Sequence, residues 1–179
     1  GGTYREAVTL ARPGRPEAPI QFRTAARETA VVTAGVRVEG WRKEPGTRRT
    51  WSAECPTLPA AVWEDRTVTR YMELENSAAV DDAPGSYRYD RTLRRLTVHA
   101  LRSLPPDQAG IIAVPASGAI RHGFSIAAAN NAVEGFVIAY HPWSGISIAA
   151  DGGAARSNTV YGCVEGITVQ GGDGVAVLR

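Results

Sequence analysis

The feature that most constrains the fold is an internal repeat in the last third of the chain. The motif N-x-V-x-G-[FC] occurs at residues 131–136 and again at 158–163. A strand-like motif, G-[IVF]-x-[IV], occurs at 123–126, 145–148 and 174–177. Self-similarity at spacings of roughly 20 to 50 residues is typical of stacked repeat architectures, in which each repeat is one small structural unit. The sequence therefore predicts successive coils of similar length.

The residues within each copy predict strands that pair in parallel. Alternation sends every second side chain into the interior, where we expect Ile146, Ile148, Val175 and Val177 to stack on their equivalents. Gly and Asn recur before and between the strands because tight corners demand a positive φ. A leucine-rich repeat would need a Leu/Asn consensus that is absent, and the two-residue period excludes helical repeats. A parallel β-solenoid fits these features.

The beginning of the chain carries a resemblance to a known group. Gly2-Thr3-Tyr4-Arg5-Glu6-Ala7-Val8 is followed by Gly14, by Pro-Ile-Gln-Phe at 19–22 and by Val-Arg-Val-Glu-Gly-Trp at 36–41. This stretch resembles the start of the helix in right-handed parallel β-helix proteins of the pectate-lyase-like superfamily. The resemblance covers roughly residues 1–41 and 110–179. It implies a fragment of a larger carbohydrate-active bacterial protein that is secreted, either extracellular or periplasmic.

The fold class that we expect is all-β: a right-handed parallel β-helix with a β-rich insertion. Residues 1–41 are the predicted N-terminal part of the helix, 42–109 the insertion, and 110–179 further coils truncated at the C-terminus. Within the insertion, the alternating segments 86–90 and 96–101 flank a polar stretch and predict a β-hairpin. Similar insertions occur in relatives that include β-xylosidase-like glycoside hydrolases. The resemblance thus implies a small β-rich lobe beside the helix.

Composition and charge exclude several other classes. The chain is 44% hydrophobic and 21% charged with a net charge of +2, which is ordinary for a globular domain and too small to indicate nucleic acid. The basic excess in residues 1–50 lacks the interleaved aromatic residues of a base-stacking surface, so we interpret it as a solvated face. Cys55 and Cys163 lie far apart without a C-x-x-C pattern, so they indicate neither a zinc knuckle nor a disulfide framework, and a single bridge between them stays an open alternative. No apolar stretch approaches the length of a membrane span.

The resemblance places a substrate groove along one sheet face and directs attention to six acidic, basic and aromatic residues of the repeat region, among them Glu165, which receives no specific role. Asp151 and Asp173 are the candidate catalytic carboxylates, because coils stack about 4.8 Å apart and a retaining glycosidase needs two close carboxylates. The alternative is that both are turn formers next to glycines. His141, Trp143 and Arg156 are candidate substrate-binding residues, with Trp143 as a stacking platform and Arg156 as a uronate ligand. Trp143 as a cover of the coil edge, and Arg156 as a solvated side chain, remain open alternatives.

The sequence leaves the chemistry undecided between hydrolysis, elimination and binding alone. A lyase needs a base and a cation such as Lys, Arg or Ca²⁺; the repeat region has no Lys and no dense acidic cluster, so no cofactor is evident and Ca²⁺ stays an open alternative. Arg121 is a second candidate uronate ligand, whereas His99 and His122 are interpreted as surface or packing residues. The expected partner is a polysaccharide or oligosaccharide, and the leading function is a glycoside hydrolase or polysaccharide lyase. The alternative is a non-catalytic glycan-binding or adhesion protein.

Overall fold

The computed structural model describes residues 1–116 and 120–178, which form mostly short strands. The strands are, in chain order, β1 (Gly2–Tyr4), β2 (Val8–Leu10), β3 (Ile20–Arg23), β4 (Ala30–Thr33), β5 (Val36–Arg37), β6 (Arg42–Lys43), β7 (Trp51–Glu54), β8 (Pro59–Glu64), β9 (Thr69–Arg70), β10 (Met72–Glu73), β11 (Ser86–Asp90), β12 (Arg95–His99), β13 (Ile111–Pro115), β14 (Phe124–Ile126), β15 (Asn131–Glu134), β16 (Val137–Ala139), β17 (Ser144–Ile148), β18 (Ala154–Arg156), β19 (Thr159–Tyr161), β20 (Glu165–Val169) and β21 (Ala176–Leu178). The helices are α1 (Ser77–Asp82), α2 (Pro106–Ala109) and a 3₁₀ turn at Leu101–Ser103.

The chain divides into two compact units. Unit 1 comprises residues 1–34 and 117–179, and unit 2 comprises residues 35–116. The insertion expected at 42–109 falls within unit 2, which begins earlier and ends later than the expected bounds. The extra residues belong there because β5 and β13 pair with each other in an antiparallel sheet, and Val38 and Trp41 pack in the core of unit 2. The resemblance implied that the segment 36–41 belongs to the β-helix. The strand pairing and the core contacts place it in unit 2 instead.

Unit 1 consists of three four-stranded parallel sheets that the chain visits in turn. Sheet 1 has the order β1-β4-β16-β19, sheet 2 the order β2-β14-β17-β20, and sheet 3 the order β3-β15-β18-β21. Every neighbouring pair within these sheets is parallel. We call one passage through sheets 2, 3 and 1 a coil. Each coil thus adds one strand to each sheet, as the repeat predicted.

The register of the sheets gives the period of the coils. Phe124 pairs with Ile146 in sheet 2, and Ile146 pairs in turn with Ile167, so the second step is one residue shorter than the first. The spacing from Asn131 to Asn158 is wrong as a coil period, because residues 131–134 lie in sheet 3 whereas 159–161 lie in sheet 1. The motif at 174–177 is likewise in sheet 3, and the true third member of the sheet 2 series is Gly-Ile-Thr-Val at 166–169.

The three sheets share one hydrophobic core. Ile146 and Ile148 are fully buried in it beside Leu10 and Phe124, which confirms that the alternate residues of sheet 2 face inward. Val175 packs against the same core. The remaining members of the cluster come from sheets 1 and 3 as well as sheet 2, and are Val32, Ile126, Val133, Ile138 and Ala155.

Val177 does not occupy its predicted place. It is 51% exposed and pairs with Ala155 of β18, so it does not stack on Ile146 and Ile148. The reason is that β21 belongs to sheet 3 and is the edge strand of that sheet.

Residues in the left-handed region mark the corners of each coil and recur with the coil period. The three sets are Asn130, Gly152 and Gly174 between sheets 2 and 3, Gly135 and Ser157 between sheets 3 and 1, and Tyr140 and Gly162 between sheets 1 and 2. The expectation of Gly and Asn at corners is confirmed at five of these seven positions, whereas Ser157 and Tyr140 adopt the same conformation without being Gly or Asn. Gly145, which opens the motif of β17, has a different role, because a Cβ there would clash with Val160 Cγ1. Close packing, and not a positive φ, requires glycine at that position.

Unit 2 is built on two sheets of its own. One has the order β10-β11-β12-β7-β6 and the other, antiparallel throughout, the order β5-β13-β8-β9. The predicted hairpin is confirmed, since β11 pairs antiparallel with β12 from Ser86–His99 to Asp90–Arg95. Buried Glu64 accepts hydrogen bonds from the Tyr71 hydroxyl and from the Leu101 N–H. Burial and the bond to Glu64 raise the pKa of Tyr71.

Candidate functional site

The outer face of sheet 2 carries a row of hydroxyl side chains. Residues that alternate with the inward-facing Phe124, Ile146 and Ile167 lie on the opposite face of the strands. In register these are Thr9, Ser125, Ser147 and Thr168, which we call the hydroxyl row. The Thr168 hydroxyl donates to the Ile146 carbonyl at 3.3 Å, which holds the end of the row against the neighbouring strand. Ser147 is buried, so the members of the row with exposed surface are Thr9, Ser125 and Thr168.

A cluster of larger polar and aromatic side chains lies where the strands of sheet 2 begin. We call it the site edge; its members are Arg121, His122, Trp143, Ser144 and Glu165. Ser144 pairs in register with Glu165 of the next coil, and Ser144 Oγ lies 2.7 Å from His122 Nδ1 of the preceding coil. The backbone joins the same coils, because the Trp143 N–H donates to the Arg121 carbonyl at 3.1 Å and the Glu165 N–H to the Trp143 carbonyl at 3.0 Å. The Trp143 side chain is 50% exposed.

A glycine follows each of the site-edge residues His122, Ser144 and Glu165. A Cβ on Gly123 would clash with Ile138 Cγ2 and would lie 3.0 Å from His141 Nε2. A side chain at this position would displace the preceding residue, His122, from its coil. The recurring glycines of the repeat thus fix where the polar residues stand.

The surroundings of His122 favour the neutral form of its ring. Burial lowers its pKa, and the neighbouring Arg121 lowers it further, while Glu165 acts in the opposite direction. A neutral imidazole has one donor and one acceptor nitrogen. The site edge therefore presents a cation, a carboxylate, a neutral imidazole and an indole on adjacent coils.

His141 is in the interior and not on a binding surface. It is 1% exposed, its Nε2 lies 3.4 Å from the Val32 carbonyl oxygen, and its Nδ1 has no partner among the described residues. Burial lowers the pKa of His141 to about 4. A substrate-binding residue needs an exposed side chain, and His141 has almost none, so the structure does not support its predicted role.

Asp151 and Asp173 lie together at the corner between sheets 2 and 3, one coil apart. Asp151 Oδ1 accepts the Asp173 N–H at 2.9 Å, and the Gly152 N–H donates to the Asp173 carbonyl at 2.8 Å. The Asn130 N–H makes the corresponding bond to the Asp151 carbonyl. This is the geometry of stacked turns, in which the Asp151 carboxylate serves the backbone of the next coil. A catalytic role of either residue stays a prediction.

Arg156 stands apart from the other predicted residues. It ends β18 in sheet 3, in register with Glu134 of β15, which itself pairs with Arg23 of β3. Its Nε is buried without a hydrogen-bond partner in the described part of the chain. The structure thus divides the predicted site among three corners of the coil, and of the substrate-binding candidates only Trp143 lies at the site edge.

His122 and Ser144 are absent from the site that the sequence predicts, and Glu165 is among the groove candidates but without an assigned role. The signal that locates them is the glycine after each one, at positions 123, 145 and 166. When the coils are aligned by their true period, His122, Ser144 and Glu165 fall in one column. When they are aligned by matching Asn131 with Asn158, the three residues fall out of register. Among residues 1–116 and 120–178, no three His, Cys, Asp or Glu side chains are grouped as a metal site would need. The helices described are too short and too polar to cross a membrane.

Comparisons with known proteins give a likeness of fold. No family model matches the chain, and no curated protein matches it. It is similar to the solved structure described as "The complex structure of XylC with xylose", with a TM-score of 0.56 and 13% sequence identity. The match covers 87% of this chain and 34% of that one, so this chain spans about a third of the neighbour's length.

Proposed function

We propose that unit 1 is part of a right-handed parallel β-helix in a polysaccharide-active protein, and that the outer face of sheet 2 binds the saccharide. The fold proposal is supported by three parallel sheets around one core, by the regular period of the coils and by the likeness to XylC. XylC was solved with xylose, which supports a saccharide in preference to nucleic acid as the partner. An extracellular or periplasmic location would suit that partner.

The observation that carries the proposal is the half-exposed Trp143 beside hydrogen-bonding groups on the neighbouring coils. An indole offers a large apolar face to the C–H groups of a pyranose ring, and its amphipathic character suits a partly wet site. Arg121 and Glu165 provide charged donors and acceptors for sugar hydroxyls or carboxylates. Thr9, Ser125 and Thr168 of the hydroxyl row add smaller groups along the same face.

The activity that we propose for the whole protein is glycoside hydrolysis or polysaccharide elimination. A second candidate, glycan binding without catalysis, is favoured by one observation: Asp151 Oδ1 is already engaged by the Asp173 N–H. In that case the site edge is a binding surface, and no residue of this chain transfers protons.

The test is binding and turnover of neutral and uronate-containing polysaccharides by the chain and by its full-length parent. We expect binding by affinity electrophoresis, and a loss of roughly fivefold or more in affinity for Trp143→Ala, since one stacking contact of this size is worth on the order of 1 kcal/mol or more. Leu93→Ala, an exposed apolar residue of unit 2, is the matched control and should bind as the native chain does.

The products separate the two candidates. Reducing ends alone indicate a hydrolase, and reducing ends with absorbance from unsaturated products indicate a lyase. Binding without products indicates the non-catalytic candidate. Absence of binding to every polysaccharide, or equal binding by Trp143→Ala, would overturn the proposed site.

A further inference from the structure

We propose that His122 is a saccharide-binding residue whose ring is held by Ser144 in one tautomer, with the proton on Nε2, so that Nε2 donates a hydrogen bond to a sugar oxygen. This inference rests on the proposed function and assigns a hydrogen-bond donor within its site. It gives Ser144 the part of a positioning residue.

The tautomer follows from the burial of Ser144. Its side chain is fully buried, and His122 Nδ1, at 2.7 Å, is the hydrogen-bond partner that the described residues offer to Ser144 Oγ. A buried hydroxyl proton without an acceptor is unfavourable by about 1–3 kcal/mol, so the O–H donates to Nδ1. Nδ1 is then the acceptor, and in a neutral ring the proton must be on Nε2.

The same burial distinguishes positioning from nucleophilic attack. A serine hydroxyl within hydrogen-bond reach of an imidazole is also the signature of an activated nucleophile. A nucleophile must be reached by its substrate, whereas Ser144 has no exposed surface. His122, in contrast, is partly exposed at the site edge.

The charged groups around His122 are compatible with a neutral donor. Arg121 precedes it in the chain, Glu165 lies beyond Ser144 on the next coil, and His141 is its electrostatic neighbour in the interior. Arg121 disfavours a second positive charge on the ring, and Glu165 offsets this only in part. The ring therefore offers a directed N–H next to Trp143, at a place where a stacked sugar presents its ring and hydroxyl oxygens.

The binding test compares two substitutions of His122. With the saccharide that binds best to the native chain, His122→Ala should weaken binding roughly threefold to tenfold, as expected for loss of one hydrogen bond. His122→Gln should recover most of the affinity, because its amide N–H₂ reaches the position of Nε2. Equal affinity of the native chain and His122→Ala would overturn the inference, and it would leave the proposed function intact if Trp143→Ala still binds more weakly than the native chain.

The tautomer test is imidazole nitrogen NMR on the native chain and on Ser144→Ala, with Ser125→Ala of the hydroxyl row as the matched control. The native chain and Ser125→Ala should show His122 with the proton on Nε2, and saccharide should shift that resonance. Ser144→Ala should show a mixture of tautomers. A native ring protonated on Nδ1 would overturn the role of Ser144, and a native chain that binds no saccharide would overturn the proposed function together with the inference.

Discussion

His141 places an imidazole among apolar side chains with one ring nitrogen unpartnered among the residues that the structure describes. Its pKa of about 4 in the folded chain is below the value of about 6.5 of an unfolded histidine, so the unfolded chain takes up the proton first as the pH falls. The contribution of His141 to stability is therefore constant above about pH 6.5 and is lost progressively towards pH 4, by about 3 kcal/mol in total.

Denaturant unfolding between about pH 7 and about pH 4 measures this effect. His141→Gln retains a donor for the Val32 carbonyl without a titrating ring, and we expect its free energy of unfolding to fall less with acidity. An identical pH dependence for the native chain and His141→Gln would contradict the assignment.

Gly145 and Gly166 occupy equivalent places on adjacent coils but differ in their surroundings. A Cβ on Gly145 would clash with Val160 Cγ1, whereas a Cβ on Gly166 would meet nothing within 4 Å. Gly145→Ala should lower the free energy of unfolding by about 1–3 kcal/mol through overpacking, and Gly166→Ala should be neutral or slightly stabilising. Thermal unfolding of the two variants side by side tests the packing, and equal melting temperatures would refute it.

At the scale of elements, the two predicted catalytic carboxylates lie in equivalent corners of adjacent coils, Asp151 between β17 and β18 and Asp173 between β20 and β21. Asp151→Asn keeps a side-chain carbonyl that can accept the Asp173 N–H, whereas Asp151→Ala removes the acceptor. If Asp151 serves the turn, Asp151→Asn should melt like the native chain and keep any activity of the full-length protein, and Asp151→Ala should lose about 1 kcal/mol. Loss of activity in Asp151→Asn with unchanged melting would instead establish a catalytic carboxylate.

The strands were easier to predict from the sequence than their register. The alternation around Ile146 and Ile148 identifies an inward face because burial follows the two-residue period of a strand. The likeness of the two N-x-V-x-G copies was misleading because Asn131 and Asn158 both hydrogen-bond backbone groups, but at different corners of the coil. Asn131 donates to the carbonyls of Arg12, Ala128 and Ala129, and Asn158 bridges the Phe136 N–H and the Val133 carbonyl. Similar sequence here reflects similar backbone hydrogen bonding.

The candidate site was only partly predictable for a related reason. Trp143 is recognisable as an aromatic residue in a loop, but the column of His122, Ser144 and Glu165 exists only after the coils are stacked in register. These three residues are about one coil apart in the sequence. The glycine that follows each of them locates it only when the coil period is known, and no local motif indicates a function. Tertiary pairing is what brings them together.

At the scale of the whole molecule, unit 1 presents unpaired strand edges at both ends of its stack. Among the described residues, β1, β2 and β3 have a neighbour on one side only, and so have β19, β20 and β21. Exposed edges of this kind pair with other chains, so we expect the 179-residue chain to associate as its concentration rises. Light scattering over a concentration series measures this.

Lysine substitutions identify the surface responsible. Val169→Lys in β20 and Val177→Lys in β21 place a charge on edges whose side chains are about half exposed, and should reduce association. Leu93→Lys in unit 2 is the control and should have no effect. A chain that stays monomeric at all concentrations would show that these edges are protected.

The insertion of unit 2 between β4 and β14 also determines the order in which unit 1 can assemble. Strands of the later coils pair with strands that are one coil apart in the sequence. Phe124, in contrast, pairs with Val8, and the whole of unit 2 separates these two residues in the sequence. Closing a loop about five times longer costs about 1.4 kcal/mol more in chain entropy, so the first coil should dock late in folding. By the same reasoning it should be the first to open, and amide exchange should be faster in β1 to β3 than in β14 to β18.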